Sequence, residues 1–253
     1  MHITTDEMRT FAAVCGVQPE IHSEDFIYQF LMTLPDLGHR PAKFYFSDGP
    51  ESAQKLRRLI EAETNVSPSD RFSLLEFASG YGCVTRLLNN VMPSADITAC
   101  DIHPQAMDFI SSVLGMQVKQ SVSSPAVFDL AHRFDIVFAL SFFSHMPKST
   151  FGPWVEALFR HVRPGGSLIF TTHGEVSLKK IWKDDLKLDG DGFWFRAESE
   201  QLDLDSATYG TTICTPAYVT RTLYKNLKAP LALLHTGFWW EHQDVYVVAK
   251  PQS

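Results

Sequence analysis

The sequence predicts an α/β fold built on a mostly parallel sheet, and three observations predict it. From residue 72 onward, short apolar runs (FSLLEF, ADITAC, FDIVFAL and GSLIFTT) alternate with amphipathic stretches. Those runs are close to continuously hydrophobic, as strands are when helices cover both faces of a sheet. The chain has 253 residues, 45% of them hydrophobic, enough for one large domain with a continuous core and some decoration.

Residues 1–66 read as a helical amino-terminal cap on a main domain at 67–253. DFIYQFLMTL carries apolar groups at helical spacing, and ESAQKLRRLIEA places Leu56, Leu59 and Ile60 on one face. SDGPES reads as the start of that second helix. Asp48 is positioned to accept from free amides, Glu51 to reach back to them, and Pro50 sits early, where its missing N–H does no harm. NVSPSD, residues 65–70, is a polar turn into the main domain. There CVTRLLNNV, PQAMDFISSVLG and TFGPWVEALFRHV have helical spacing, and VRPGG at 162–166 supplies proline and paired glycine to stop the last of them before the next strand. After residue 174 the rhythm breaks. An insertion at about 175–212 holds a short helical part, a DGDG turn at 189–192 and an aromatic FWF strand candidate. LALLHTG and DVYVVAK then read as an antiparallel pair at the sheet edge.

Charge and cysteine usage exclude several function classes. A formal net charge of -7 argues against nucleic-acid or anionic-membrane partners, which need clustered Lys and Arg to displace counterions. A small molecule is the expected partner. Cys15, Cys83, Cys100 and Cys214 are scattered and form no C-x-x-C pair, so neither a metal site nor a disulfide framework is expected, and reduced thiols fit a cytoplasmic location. The first fifteen residues lack a basic region followed by an apolar stretch, and no segment offers the ~18 uncharged apolar residues of a membrane span. The expectation is a soluble, unprocessed chain.

The chemistry concentrates in LLEFASGYGCVTRLL, residues 74–88. A parallel sheet binds ligands beyond the carboxyl ends of its strands, and small residues where the first strand meets its helix let backbone amides approach the ligand. Ala78, Ser79, Gly80 and Gly82 meet that need. Asp101 closes the second strand candidate nineteen residues after Gly82, placed to accept from a ribose diol. These features describe either a nicotinamide dinucleotide site or an adenosyl-sulfonium site. The spacing G-x-G-x-x-G fails at Thr85, where the third glycine would stand. Glu76 is a poor neighbour for a pyrophosphate and a good one for a ligand carrying a sulfonium and an ammonium.

At this point the sequence resembles the class I S-adenosylmethionine-dependent methyltransferases. The resemblance is carried by EFASGYG at 76–82, ACDIH at 99–103, FDIVFALSFFSHMP at 134–147 and HVRPGGSLIFTTHG at 161–174, with HQDVYVVAKP at 242–251 matching the usual closing strand. It implies a Rossmann-like fold: a mostly parallel seven-stranded sheet with an antiparallel carboxy-terminal hairpin. It also implies that Glu76 to Gly82 lie along the methionine half of S-adenosylmethionine and that Asp101 holds the ribose hydroxyls. Ile102, Ser121 and Val122 would then flank the adenine, and Ser141 and Phe142 would lie beneath the sulfonium. Ala78 stands where a glycine is commoner, which a negative φ would tolerate. No acidic residue follows the third strand in KQSVSSPAVFD, leaving adenine recognition to backbone or Ser123.

Methyl transfer is an in-line displacement that demands alignment and exclusion of water, so a general base is optional. His145, in the loop after the fourth strand, is the leading candidate base for an oxygen nucleophile, against a loop histidine that hydrogen-bonds backbone and packs. His173, at the end of the fifth strand, is the second candidate, against a surface histidine. Tyr45 reads equally as part of a lid over the cofactor or as packing on the sheet. Trp239, Trp240 and His242 either line a cleft or close a core edge. DGDG lacks the other ligands of a calcium loop and reads as a hairpin turn; Lys179, Lys180 and Lys183 read as a solvated helix face. The expected function is methyl transfer to a small molecule, on oxygen before nitrogen or carbon. A non-catalytic S-adenosylmethionine-binding scaffold or sensor, and a nicotinamide oxidoreductase, are the alternatives.

Overall fold

The computed structural model describes residues 1–34, 40–183, 185–199, 201, 203–229 and 231–252; positions 184, 200 and 202 of the expected insertion lie outside the described residues. By its internal contacts the chain divides into two units, Met1–Ala62 with Val66–Ser121, and Glu63–Asn65 with Val122–Ser253.

The first unit begins with β1 (His2–Ile3), α1 (Asp6–Cys15), β2 (Ile21–His22), α2 (Phe26–Thr33) and α3 (Pro41–Glu63). The Thr5 hydroxyl caps α1 by accepting from the Met8 N–H, and Gly16 closes it at φ 67°. Met8, Ala12, Ile21, Tyr28, Ala42, Tyr45, Phe46 and Cys83 form one buried cluster. The expected helix start at SDGPES is overturned: α3 already begins at Pro41 and carries Pro50 inside it. Pro50 has no N–H to offer the Phe46 carbonyl one turn back, and the Cys15 thiol donates to that oxygen instead, at 3.2 Å. The neighbouring glycine has its own reason. A Cβ on Gly49 would lie 2.4 Å from the Cys83 carbonyl oxygen, so only glycine lets α3 run this close to the segment leading into the next helix.

The rest of the unit is the expected βαβαβ run: β3 (Phe72–Phe77), α4 (Thr85–Val91), β4 (Ala95–Asp101), α5 (Pro104–Ser112) and β5 (Gln117–Gln120). All six residues of β3 are buried. Parallel pairing runs from Phe72 against Ala95 to Phe77 against Cys100, and from Thr98 against Gln117 to Asp101 against Gln120. The carboxyl ends of β3 and β4 therefore lie level.

The second unit holds β6 (Phe134–Ala139), α6 (Lys148–Arg160), β7 (Val162–His173), α7 (Glu175–Trp182), β8 (Phe193–Arg196), β9 (Thr211–Cys214), α8 (Pro216–Leu227), β10 (Leu231–Trp239) and β11 (Gln243–Ala249). VRPGG does not separate helix from strand as expected; it lies within β7. The backbone pairs it makes there explain why: Gly165 N donates to the Lys250 carbonyl and Lys250 N to the Gly166 carbonyl. The register slip between Phe134 and Ile136 opposite absorbs the extra residues. Helix α8, unread in the sequence, starts on the Thr215 hydroxyl, which accepts from Tyr218 N, with Pro216 in its first turn. The DGDG turn opens β8 rather than linking paired strands, because β8 pairs with β9. Asp189 accepts from the N–H groups of Asp191 and Phe193, and Lys148 bridges both aspartates. Trp239 is fully buried against Phe138, the core-edge role.

The seven long strands form one sheet in the order β10-β11-β7-β6-β3-β4-β5, with β11 antiparallel to β7 and β10 antiparallel to β11 at the edge. Among the described residues no helix is long and apolar enough to cross a membrane, and no group of three His, Cys, Asp or Glu is arranged to hold a metal ion.

Candidate functional site

In the first unit the site begins where β3 ends. Ala78 has φ 59°, so the expectation of a negative φ is corrected: this alanine takes the left-handed conformation that usually favours glycine, at a cost of about 1–2 kcal/mol. That turn aims successive N–H groups at β4, with Ser79 N donating to the Cys100 carbonyl and Gly80 N to Asp101 Oδ2, at 2.8 Å. Asp101 Oδ1 accepts from His103 N and from His103 Nδ1, at 3.0 and 2.7 Å. Gly82 has φ 84°, and a Cβ there would meet the Leu114 side chain at 2.8 Å. The buried Asp101 carboxylate is thus held from two sides by groups that consume one lone pair on Oδ2 and two contacts on Oδ1.

Glu76 is 4% exposed, and its Oε2 has no hydrogen-bond partner; nor has the buried Ser79 hydroxyl. Burial raises the Glu76 carboxyl to about 8, the Asp101 charge adds to the rise, and the Thr85 hydroxyl opposes it. Two orphaned acceptors and a fixed carboxylate within one strand-end turn make a donor set that fits a ligand bearing N–H groups, positive charge and a diol. Gln120 donates to the carbonyls of Asp101 and Ile102, and Ser121 N to the Asp101 carbonyl, which fixes the backbone on which Ile102 and Ser121 stand. Val122, which belongs to the second unit, is 38% exposed.

Tyr45 is corrected as a lid residue. It is 1% exposed, and its hydroxyl donates to the buried Asp25 carboxylate at 2.6 Å, so neither ring nor hydroxyl is left to cover a ligand. Arg86, which sequence reasoning passed over, ties this cluster to the glycine-rich turn. Its Nε donates to the Gly82 carbonyl, Nη1 to the carbonyls of Gln18 and Glu20, and Nη2 to the Tyr45 oxygen. Tyr81 was also missed, although it lies inside the motif. Its ring stacks on His22 at 4.7 Å and its hydroxyl donates to Glu24.

The second unit supplies the other predicted residues. Ser141 has φ 57°, and its N–H donates to the Thr171 hydroxyl. Phe142 is buried edge-on against Phe143 and Trp154. His145 is locked by the insertion: its Nδ1 donates to the Gly210 carbonyl at 2.8 Å, and its ring lies flat on Tyr209 at 4.4 Å. A carbonyl only accepts, so Nδ1 carries a hydrogen, and in the neutral ring Nε2 is the nitrogen with the lone pair. Backbone bonds from Gly210 N to the His145 carbonyl and from Thr212 N to the Ser144 carbonyl reinforce that seam. Neither Tyr209 nor Gly210 carries a sequence signal that points to His145.

His173 is corrected on both of its sequence readings. It is half-buried rather than a free surface group: Trp182 and His242 pack on its ring. Nor is it a base at neutral pH. Burial, joined by His145 and His242, drives its imidazolium down to about 3 against a small opposing contribution from the Thr212 backbone. Gln243, also unforeseen, donates to the Ser141 hydroxyl and contacts His173 Nε2, while the Thr171 hydroxyl donates to its Oε1.

Comparison with known proteins agrees with this layout. A methyltransferase-domain family model matches residues 75–168. A malonyl-acyl-carrier-protein O-methyltransferase of Calditerrivibrio nitroreducens is 26% identical over 154 residues, 60% of this chain and 58% of that relative, so the match spans little more than half of the relative's length. An S-adenosylmethionine-dependent methyltransferase of Clostridium acetobutylicum superposes with a TM-score of 0.57 at 13% identity, covering 88% of this chain and 99% of that one. Human N-acetylserotonin methyltransferase bound to S-adenosylmethionine has the same TM-score and identity, covering 97% of this chain and 65% of its own. Residues 75–168 thus match a methyltransferase domain, and the chain shares the fold of the solved S-adenosylmethionine-dependent methyltransferases it superposes on.

Proposed function

We propose that the protein transfers a methyl group from S-adenosylmethionine to an oxygen atom of a small molecule. The single observation that carries the cofactor assignment is the pair of buried, unpartnered acceptors at Glu76 and Ser79 beside a carboxylate held by Gly80 N–H. Asp101 takes the ribose hydroxyls, Glu76 faces the cationic methionine half, and Ile102, Ser121 and Val122 border the adenine. When bound, the cofactor supplies an electrophilic methyl carbon on a sulfonium. Ser141 and Phe142 border the transfer position, and His145, with its lone pair on Nε2, takes the proton of a hydroxyl acceptor. The name of the O-methyltransferase relative supports oxygen as the target, and the net charge of -7 supports a small acceptor over nucleic acid.

Calorimetry tests the reading. S-adenosylmethionine and S-adenosylhomocysteine are expected to bind; no heat with either, alongside tight binding of NADH, overturns it in favour of an oxidoreductase. Release of S-adenosylhomocysteine in a screen of hydroxylated acceptors separates an enzyme from a non-catalytic binder.

A further inference from the structure

The hydrogens around Gln243 can be assigned from one fixed point. Ser141 N–H is an obligate donor, and it donates to Thr171 Oγ1 at 2.8 Å. The fully buried Thr171 hydroxyl then directs its own hydrogen at Gln243, 2.6 Å away, which must present its oxygen there. The other end of the amide is therefore NH₂, and its two hydrogens go to the Ser141 hydroxyl at 2.9 Å and to His173 Nε2 at 3.2 Å. Turning the amide over would leave the Thr171 hydrogen without an acceptor in a residue with no exposed surface. Gln243 itself is 2% exposed, so water does not substitute for these partners.

Two consequences follow for the groups at the ends of the network. His173 Nε2 accepts, so its hydrogen is on Nδ1, a buried atom with no hydrogen-bond partner among the described residues. Ser141 Oγ accepts from Gln243, so its own O–H is turned away from the network, and Ser141 is only partly buried. We infer that Gln243 is a positioning residue that makes the Ser141 hydroxyl a hydrogen-bond donor to the methyl acceptor, and that the acceptor is an oxygen nucleophile with a spare lone pair. This rests on the proposed function for the place of Ser141, but not for the proton positions. An amine has one lone pair, which it must spend on the methyl group, so it cannot also accept the Ser141 hydrogen; only the second lone pair of Ser141 Oγ is open to its N–H groups. A carboxylate attacks through one oxygen and receives the Ser141 hydrogen on the other; a phenolate, once His145 has taken its proton, has lone pairs for both. In the transfer an oxygen lone pair forms the O–CH₃ bond, the S–CH₃ bond breaks, and its electron pair stays on sulfur as a neutral thioether.

The test has two parts. In ¹⁵N spectra of the free protein, His173 is expected as the neutral Nδ1–H form from pH 5 to 8, and Gln243→Glu, which has only acceptors to offer, is expected to convert it to Nε2–H. An Nε2–H form in the unaltered protein overturns the inference, whatever the cofactor does. With S-adenosylhomocysteine present, benzoate and phenol are then titrated against benzylamine. At least one oxygen probe is expected to bind about tenfold more tightly than benzylamine and to lose that margin in Ser141→Ala. Which one does so separates a carboxylate from a phenol. Benzylamine binding as tightly as both, or an unchanged margin in Ser141→Ala, overturns the assignment. Absence of S-adenosylhomocysteine binding counts against the proposed function instead.

Discussion

The glycine-rich turn of the first unit and the hydroxyl–amide network of the second are both polar constructions at the ends of buried strands, assembled over different distances. Gly80 reaches Asp101 across 21 residues, one strand-helix-strand step. In the second unit, His145 reaches Gly210 across 65 residues, His173 reaches Gln243 across 70 and Ser141 reaches Gln243 across 102. Buried polar atoms without a partner remain in both: Glu76 Oε2 and the Ser79 hydroxyl in the first, and His173 Nδ1, the Thr172 hydroxyl and Asp244 Oδ2 beside Gln243 in the second. An unsatisfied buried polar group costs stability that a ligand can return on binding. The difference between the two is one of reach: the first closes within a single strand-helix-strand step, and the second only when strands and loops far apart in the chain are folded together.

The largest expected effect tests how far the first region stands on local geometry. Arg86→Met removes four hydrogen bonds and the cation that lowers the buried Asp25 carboxyl, itself raised by burial. Chemical denaturation should show a loss of about 3–5 kcal/mol, with weaker S-adenosylhomocysteine binding in the same variant. Unchanged cofactor affinity would mean that the Gly82 turn holds without Arg86.

Glu76 gives the next effect, with a definite sign. Its carboxyl lies at about 8 in the folded chain against 4.5 ordinarily, so between those values the folded state keeps a proton that the unfolded chain has released. Stability of the ligand-free protein should therefore fall as pH rises from about 4.5 to 8, and Glu76→Gln should flatten the curve, by roughly 3–5 kcal/mol at most across the window. If a cation binds beside Glu76, binding at pH 7 should release close to one proton, read as a heat that varies with the ionisation enthalpy of the buffer. Asp101→Ala should weaken S-adenosylmethionine by about 1.5–3 kcal/mol in calorimetry.

Smaller changes sharpen the contrast between regions. Tyr209→Leu removes the stacking partner of His145 and should cost about 1 kcal/mol of stability, lower turnover and leave S-adenosylhomocysteine affinity within about twofold. Ala78→Gly should raise the denaturation midpoint by the equivalent of about 1 kcal/mol, because it removes the Cβ from a left-handed residue.

The parallel sheet, its strand ends and the Glu76–Gly82 turn were legible because burial on both faces and the small residues of a strand-to-helix turn write themselves into consecutive positions. Asp101 was legible for the same reason, as the end of the neighbouring strand. Helix α8 was overlooked because Thr215 and Pro216, its cap and first turn, stand in a stretch read only for motifs. The continuity of α3 was hidden because Pro50 does look like a beginning until the Cys15 thiol is seen to satisfy Phe46.

By itself, the sequence determined the fold class, the order of the strands' motifs and the acidic, small-residue character of the first site, since each depends on residue type and near-neighbour spacing. Only the tertiary structure decided that Ala78 is left-handed, that Tyr45 is core, that burial holds His173 neutral and that His145 carries a hydrogen on Nδ1. Those depend on burial and on partners tens of residues away, because a proton's position is set by whichever donor or acceptor folding brings alongside it.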